Sequence, residues 1–165
     1  MSQAEIRKVA DDFGGVPVES RTKLSVQQAE QAIAPVHRAS QDLLKAYGFT
    51  PEDFEGTGFT MDSPEIVHMA LGIAGANQDE SFASAFINDC TTSAYAQDLS
   101  VSKAWDCAKR AMMIEISIEV FRNHNLSSIS GKKLLIRTFG KLATRYMGPI
   151  GAAITVADFS VCMFS

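Results

Sequence analysis

The side chains with the greatest chemical reach are three histidines, His37, His68 and His124, and three cysteines, Cys90, Cys107 and Cys162. Glu65 stands three residues before His68, a helical spacing that sets a carboxylate beside an imidazole, able to ligate a metal or to work as acid and base. The plainer account is an exposed or core-edge pair. Cys90 or Cys107 with His68 or His124 would make a small Cys/His hydrolase of the peptidoglycan-cleaving kind. Both cysteines, however, fall inside expected helices, away from the helix starts that lower a thiol's pKa. None of the three shows CxxC or Cys/His zinc spacing, and no metal or cofactor is expected. Buried free thiols are the simple reading, and a Cys90–Cys107 disulfide is the alternative in an exported protein. His124, within Asn123-His124-Asn125, fits a helix end, where an imidazole meets the C-terminal dipole. GxSxG, Walker A, GxGxxG and HExxH are all absent from the chain, so common hydrolase, nucleotide and zincin chemistry has no motif here. Gly56-Thr57-Gly58 lacks the strand and helix of a phosphate loop. Trp105 and most of the phenylalanines read as core anchors.

The stronger pattern is ionic. Lys133, Arg137, Lys141 and Arg145 recur every fourth residue, forming one cationic stripe on a helix, with Leu135, Phe139, Leu142 and Tyr146 on another face. A basic amphipathic helix suits an anionic membrane or an acidic partner. The simpler reading is a surface helix paired with acids elsewhere in the chain. The stripe runs into residues 146–165, where Asp158 is the one side-chain charge, in a run about as long as a bilayer span. Gly140, Thr144, Gly148 and Ala152 repeat at four-residue intervals, as in closely packed membrane helices. A carboxylate in a span costs about 2.5–3.5 kcal/mol, so Asp158 must be protonated, paired or left at an interface, and Pro149 adds a break. These features argue against a constitutive anchor. They fit either a buried C-terminal helix or one that stays in the fold and inserts only on demand.

Over residues 131–157, and above all Gly140-Lys141-Leu142 through Gly148-Pro149-Ile150-Gly151-Ala152-Ala153, the chain resembles the glycine-rich apolar C-termini of small interbacterial effector toxins and bacteriocin-type proteins. The resemblance implies membrane activity and carries over no site residues.

Helix punctuation explains how these residues are positioned. Ser2-x-x-Glu5 opens a first helix that Gly14-Gly15 stops, and residues 14–24 read as a linker. Ser25-x-x-Gln28 opens a second, with Ala29, Ile33, Val36, Leu43, Leu44 and Tyr47 as its apolar face, Pro35 as a kink or break, and Gly48 as its stop. Thr50-Pro51-Glu52-Asp53 and Asp62-Ser63-Pro64-Glu65 each supply a cap, a first-turn proline and early acids, the latter starting a helix of about three turns. Between Gly75 and Gly131 there is neither glycine nor proline, so helices joined by short polar turns are expected, divided near Gln97 to Ser100. Ile114 to Val120 alternates apolar and polar residues as a strand would. Flanking helix formers and the lack of a partner strand resolve it toward helix, making 110–121 the expected central helix under the tail. The fold class is therefore all-α, a compact bundle of about six to eight helices in a single domain. Its parts are an N-terminal helix and linker (1–24), an acidic helical body (25–130), and a basic helix with an apolar tail (131–165).

The composition agrees. At 165 residues, 46% hydrophobic and 21% charged, the chain buries a core by ordinary apolar packing. Its net charge of −4 averages two unlike parts. Residues 1–100 hold 6 Lys+Arg against 15 Asp+Glu, and residues 101–165 hold 9 against 4. Nucleic acid is not an expected partner, because the acidic part opposes phosphate contact. The polar start has no apolar h-region, so the expectation is synthesis in the cytoplasm without a Sec signal and secretion by a signal-independent route.

The leading functional expectation is a non-enzymatic, membrane-active antibacterial toxin that inserts or forms a pore through Lys133, Arg137, Lys141, Arg145, Gly140, Gly148, Gly151 and Asp158. Its partners would be an anionic membrane, a cognate immunity or chaperone protein covering the tail, and other copies on insertion. The alternative is a soluble interaction domain, an immunity, adaptor or inhibitor protein with the tail as core.

Overall fold

The computed structural model describes residues 25–90, 101–112, 116–142 and 148–164. Seven α-helices lie there: α1 (Val26–Ala46), α2 (Ile66–Ala76), α3 (Ser81–Cys90), α4 (Val101–Met112), α5 (Asn123–Leu126), α6 (Ile129–Leu142) and α7 (Gly148–Phe164). Two 3-10 turns, Pro51–Phe54 and Ile118–Phe121, separate them. The all-α expectation is met, and no strand occurs among the described residues. The expected Ser2–Phe13 helix, the 14–24 linker and the Gln97–Ser100 division lie outside the described residues.

Local chemistry sets the bounds of α1. The Ser25 hydroxyl accepts from the Gln28 N–H at 3.1 Å, and the Gln28 side chain accepts from the Ser25 N–H at 3.2 Å, closing a capping box. At the other end Gly48 takes φ +87°. Its N–H donates to the Lys45 carbonyl at 3.0 Å, while the Phe49 N–H donates to Leu44 at 2.9 Å. Those paired bonds form a Schellman stop, which needs a left-handed residue that glycine supplies without a Cβ penalty. The helix runs through Pro35 from Val26 to Ala46, so Pro35 does not break it; side-chain packing along the buried face offsets the missing N–H bond. Ala29, Ile33, Val36, Leu43 and Leu44 are buried along that face.

The central element is α2, not the 110–121 segment. All eleven residues of α2 are buried, which marks a helix enclosed on every side. It packs against α1, α3 and α4. Gly75 permits the close approach to α4, since a Cβ there would lie 3.1 Å from the Ala104 carbonyl oxygen and 3.2 Å from Trp105 Cα. The Asp62-Ser63-Pro64-Glu65 start appears as a turn of i→i+3 bonds, Ile66 N–H to Ser63 and Val67 N–H to Pro64, with α2 proper following at Ile66.

Helix α4 stops at Met112, and after residues 113–115, which lie outside the described set, the chain passes into the Ile118–Phe121 turn. The expected continuous helix over 110–121 is thereby corrected. Ser117 caps the new turn, its hydroxyl accepting from the Glu119 N–H at 3.3 Å. The period-two pattern is real: Ile116, Ile118 and Val120 are half-buried while Ser117 and Glu119 are exposed. Phe121 drives into the core beside Trp105, ring centroids 5.3 Å apart, and under Gly72, where an added Cβ would meet its ring at 2.5 Å.

Asn77 ties this turn to the end of α2. Its buried amide donates to the carbonyls of Ile73 at 2.8 Å and Phe121 at 2.7 Å, and its oxygen accepts from the Asn123 N–H at 2.8 Å. Arg122 adds a bond to the Ala76 carbonyl at 2.9 Å. These contacts satisfy helix-end carbonyls that burial would otherwise leave costly.

Candidate functional site

Helix α6 presents two different surfaces. Leu135, Ile136 and Phe139 are buried, as the amphipathic pattern requires. Phe139 stacks near Phe59 (5.4 Å between centroids) and near His68 (6.0 Å). On the outer side Lys133 and Arg137 are exposed, together with Ile129 at 67% and Leu134 at 47%. Half of the expected cationic stripe is thus solvent-facing and flanked by apolar side chains. Gly140 and Lys141 belong to the last turns of α6, with their side-chain surroundings outside the description, and Arg145 lies outside the described residues.

Lys132, one position earlier, faces another way. Its ammonium donates to the Gly48 carbonyl at 2.9 Å and pairs with Asp53 at 3.5 Å, both side chains being mostly buried. Asp53 also accepts from the Thr50 N–H at 2.8 Å. This pair clamps α6 onto the Pro51–Phe54 turn. Beside the clamp, an open groove of about 580 Å³ runs between residues 52–57 and α6, lined by Glu52, Glu55, Lys133 and Arg137 among others.

The apolar tail forms α7, packed against α4 and α1. Gly151 and Ala152 through Ala157 are buried, as are Phe159, Ser160 and Met163, while Asp158 is half-buried. Gly148 begins the helix at φ +81°, and its N–H donates to the Glu65 carboxylate at 2.9 Å. An anion there matches the positive end of the helix dipole. At the far end a disulfide joins Cys162 to Cys107 of α4, with Cα atoms 5.5 Å apart. The tail is therefore fastened at both ends. Among the described residues no helix is long and apolar enough to cross a membrane.

This bridge corrects the cysteine expectation. Cys107 pairs with Cys162 rather than with Cys90 or with nothing, because α7 crosses α4 at that level; Cys90 is buried and keeps its thiol. Cys107 is consequently no nucleophile, and the Cys/His arrangement loses one of its two cysteines. Glu65 is engaged at the start of α7, while His68 lies buried beside Phe139. Three or more metal-ligating side chains do not gather among the described residues. His124 sits in the last turn of α5 and contacts Glu119 at 3.2 Å on the surface. Sequence reasoning missed Lys132–Asp53 and Glu65–Gly148, whose partners are far apart in the chain; only the capping pattern Thr50-x-x-Asp53 hinted at one of them.

Among the described residues a further perturbed group is Tyr47. Its hydroxyl donates to Glu80 at 3.1 Å, and burial, reinforced by the neighbouring charges of Glu80 and Asp79, pushes its pKa well above the ordinary phenol value. No family model, curated protein or solved structure matches this chain.

Proposed function

We propose that this is a non-enzymatic, membrane-active antibacterial protein that keeps two apolar helices, α2 and α7, inside amphipathic partners until it meets a target bilayer. The burial of every residue of α2 carries the reading: a helix enclosed on every face suits either a core or a bilayer, and at eleven residues α2 enters a bilayer without crossing it. Lys133 and Arg137, with Ile129 and Leu134 exposed beside them, supply the first contact with anionic lipid. In the sequence Lys141 and Arg145 continue the four-residue spacing, and Gly140, Gly148 and Gly151 permit helix association after release. Asp158 is neutralised or kept at the interface on insertion. Release of α7 requires undoing its two fastenings, the Gly148–Glu65 hydrogen bond and the Cys107–Cys162 bridge, and a reductant opens the second. A disulfide also suits an oxidising compartment, which supports export; on this reading a cognate immunity or chaperone protein covers the tail in the producing cell.

Dye release from phosphatidylglycerol-containing liposomes tests this reading, at neutral and acid pH, oxidised and reduced. Release that rises with reductant, and falls in Lys133→Glu/Arg137→Glu, is expected. No release under any of the four conditions defeats it. The burial of α7 and its bridge to α4 favour a second reading, a soluble interaction domain with the tail as permanent core. That protein would keep α7 protected from hydrogen exchange with vesicles present.

A further inference from the structure

The groove between the Pro51–Phe54 turn and α6 holds four charged groups that form no ion pair among the described residues. Glu52 and Glu55 line one wall, and Lys133 and Arg137 line the other. Among the described residues no ion pair joins either acid to either base. Their neighbours are already committed: Asp53 is taken by Lys132 and Thr50, and the Thr57 hydroxyl donates to the Phe54 carbonyl at 2.6 Å. Among the described residues the groove thus sets two carboxylates and two cations without ion-pair partners around about 580 Å³, a volume within the range of small-ligand sites.

An anion alone would be repelled by one wall and a cation alone by the other. A ligand carrying both charges on a short skeleton satisfies both. We propose that this groove binds a phosphoethanolamine headgroup, with its phosphate on Lys133 and Arg137 and its primary ammonium on Glu52 and Glu55. The guanidinium of Arg137 suits bidentate phosphate contact, and a primary ammonium donates hydrogen bonds that a quaternary one cannot. Ile129, one helical turn before Lys133 on the same stripe, is 67% exposed, so an apolar side chain adjoins the cationic wall. That placement commits the site to a lipid-borne headgroup rather than a soluble zwitterion. The inference rests on the membrane reading and adds a zwitterionic headgroup to the anionic lipid of the first contact.

The test uses the full-length protein, wild type and Glu52→Gln/Glu55→Gln, in sedimentation with three kinds of vesicle: phosphatidylcholine alone, phosphatidylcholine with phosphatidylethanolamine, and phosphatidylcholine with phosphatidylglycerol. The Gln variant is less acidic, so net charge alone makes it bind the phosphatidylglycerol vesicles better and leaves the two neutral kinds unchanged. The groove predicts opposite signs: binding to the phosphatidylethanolamine vesicles falls at least about threefold, from two lost surface ion pairs, while binding to the phosphatidylglycerol vesicles holds or rises. Circular dichroism matching wild type shows that the variant is folded. Equal or stronger binding of the Gln variant to phosphatidylethanolamine overturns the proposal. Glycerophosphoethanolamine in solution binding as tightly as the vesicle headgroup overturns the lipid assignment. Dye release from phosphatidylglycerol vesicles is read alongside: if it persists when the headgroup preference fails, the groove is wrong and the membrane reading stands.

Discussion

The Cys107–Cys162 bridge offers the sharpest quantitative test. It closes a loop with a sequence separation of 55 residues, and the loss of loop-closure entropy from the unfolded chain corresponds to about 4 kcal/mol at 25 °C. Reduction of the wild type and the double substitution Cys107→Ala/Cys162→Ala should therefore each lower unfolding stability by about that amount. The alanines add a further loss because Cys107 is 1% exposed and its sulfur fills core space. The denaturant slope should rise in both, since an unbridged chain exposes more surface when unfolded. Urea titration followed by the fluorescence of Trp105, the chain's single tryptophan and two residues from Cys107, reads both quantities. Far-UV circular dichroism checks that the transition is shared by the helices. A loss under about 1 kcal/mol with an unchanged slope would refute the entropic argument, and with it the idea that the bridge holds α7 down.

Three further outcomes follow from contacts already described. Asn77→Ala removes the links to Phe121 and Asn123 and strands buried backbone groups, so chemical denaturation should show a loss of about 2–4 kcal/mol; a loss under about 0.5 would contradict the satisfied network. Gly131→Ala drives a Cβ into the Asn125 carbonyl oxygen and should cost at least about 3 kcal/mol, whereas Gly56→Ala, at φ +75° with open space around it, should cost only about 1–2; equal midpoints for the two variants would be inconsistent with these packing differences. The raised Tyr47 pKa means the folded state resists losing that proton, so its contribution is fully present below the ordinary phenol value and is lost as pH climbs toward the folded one. Alkaline titration of stability should show that decline in the wild type and a smaller one in Tyr47→Phe, and parallel curves would rule Tyr47 out as its source.

What could be read from the chain alone was whatever neighbours along it decide. Ser25 and Gln28 bond each other, and Gly48 supplies the one conformation a Schellman stop needs, so α1 was legible at both ends. The amphipathic face of α6 and the apolar run of α7 were equally visible, because burial of a helix face depends on residues three and four apart. Tertiary structure decided the rest. Cys107 was within reach of either other cysteine until α7 was laid across α4. Lys132 and Lys133 are adjacent and chemically identical, yet about 100° of helical rotation puts one on Asp53 and leaves the other facing an open groove. Central position passed from 110–121 to α2 because enclosure depends on partners from several helices, and only the packed fold shows where they converge.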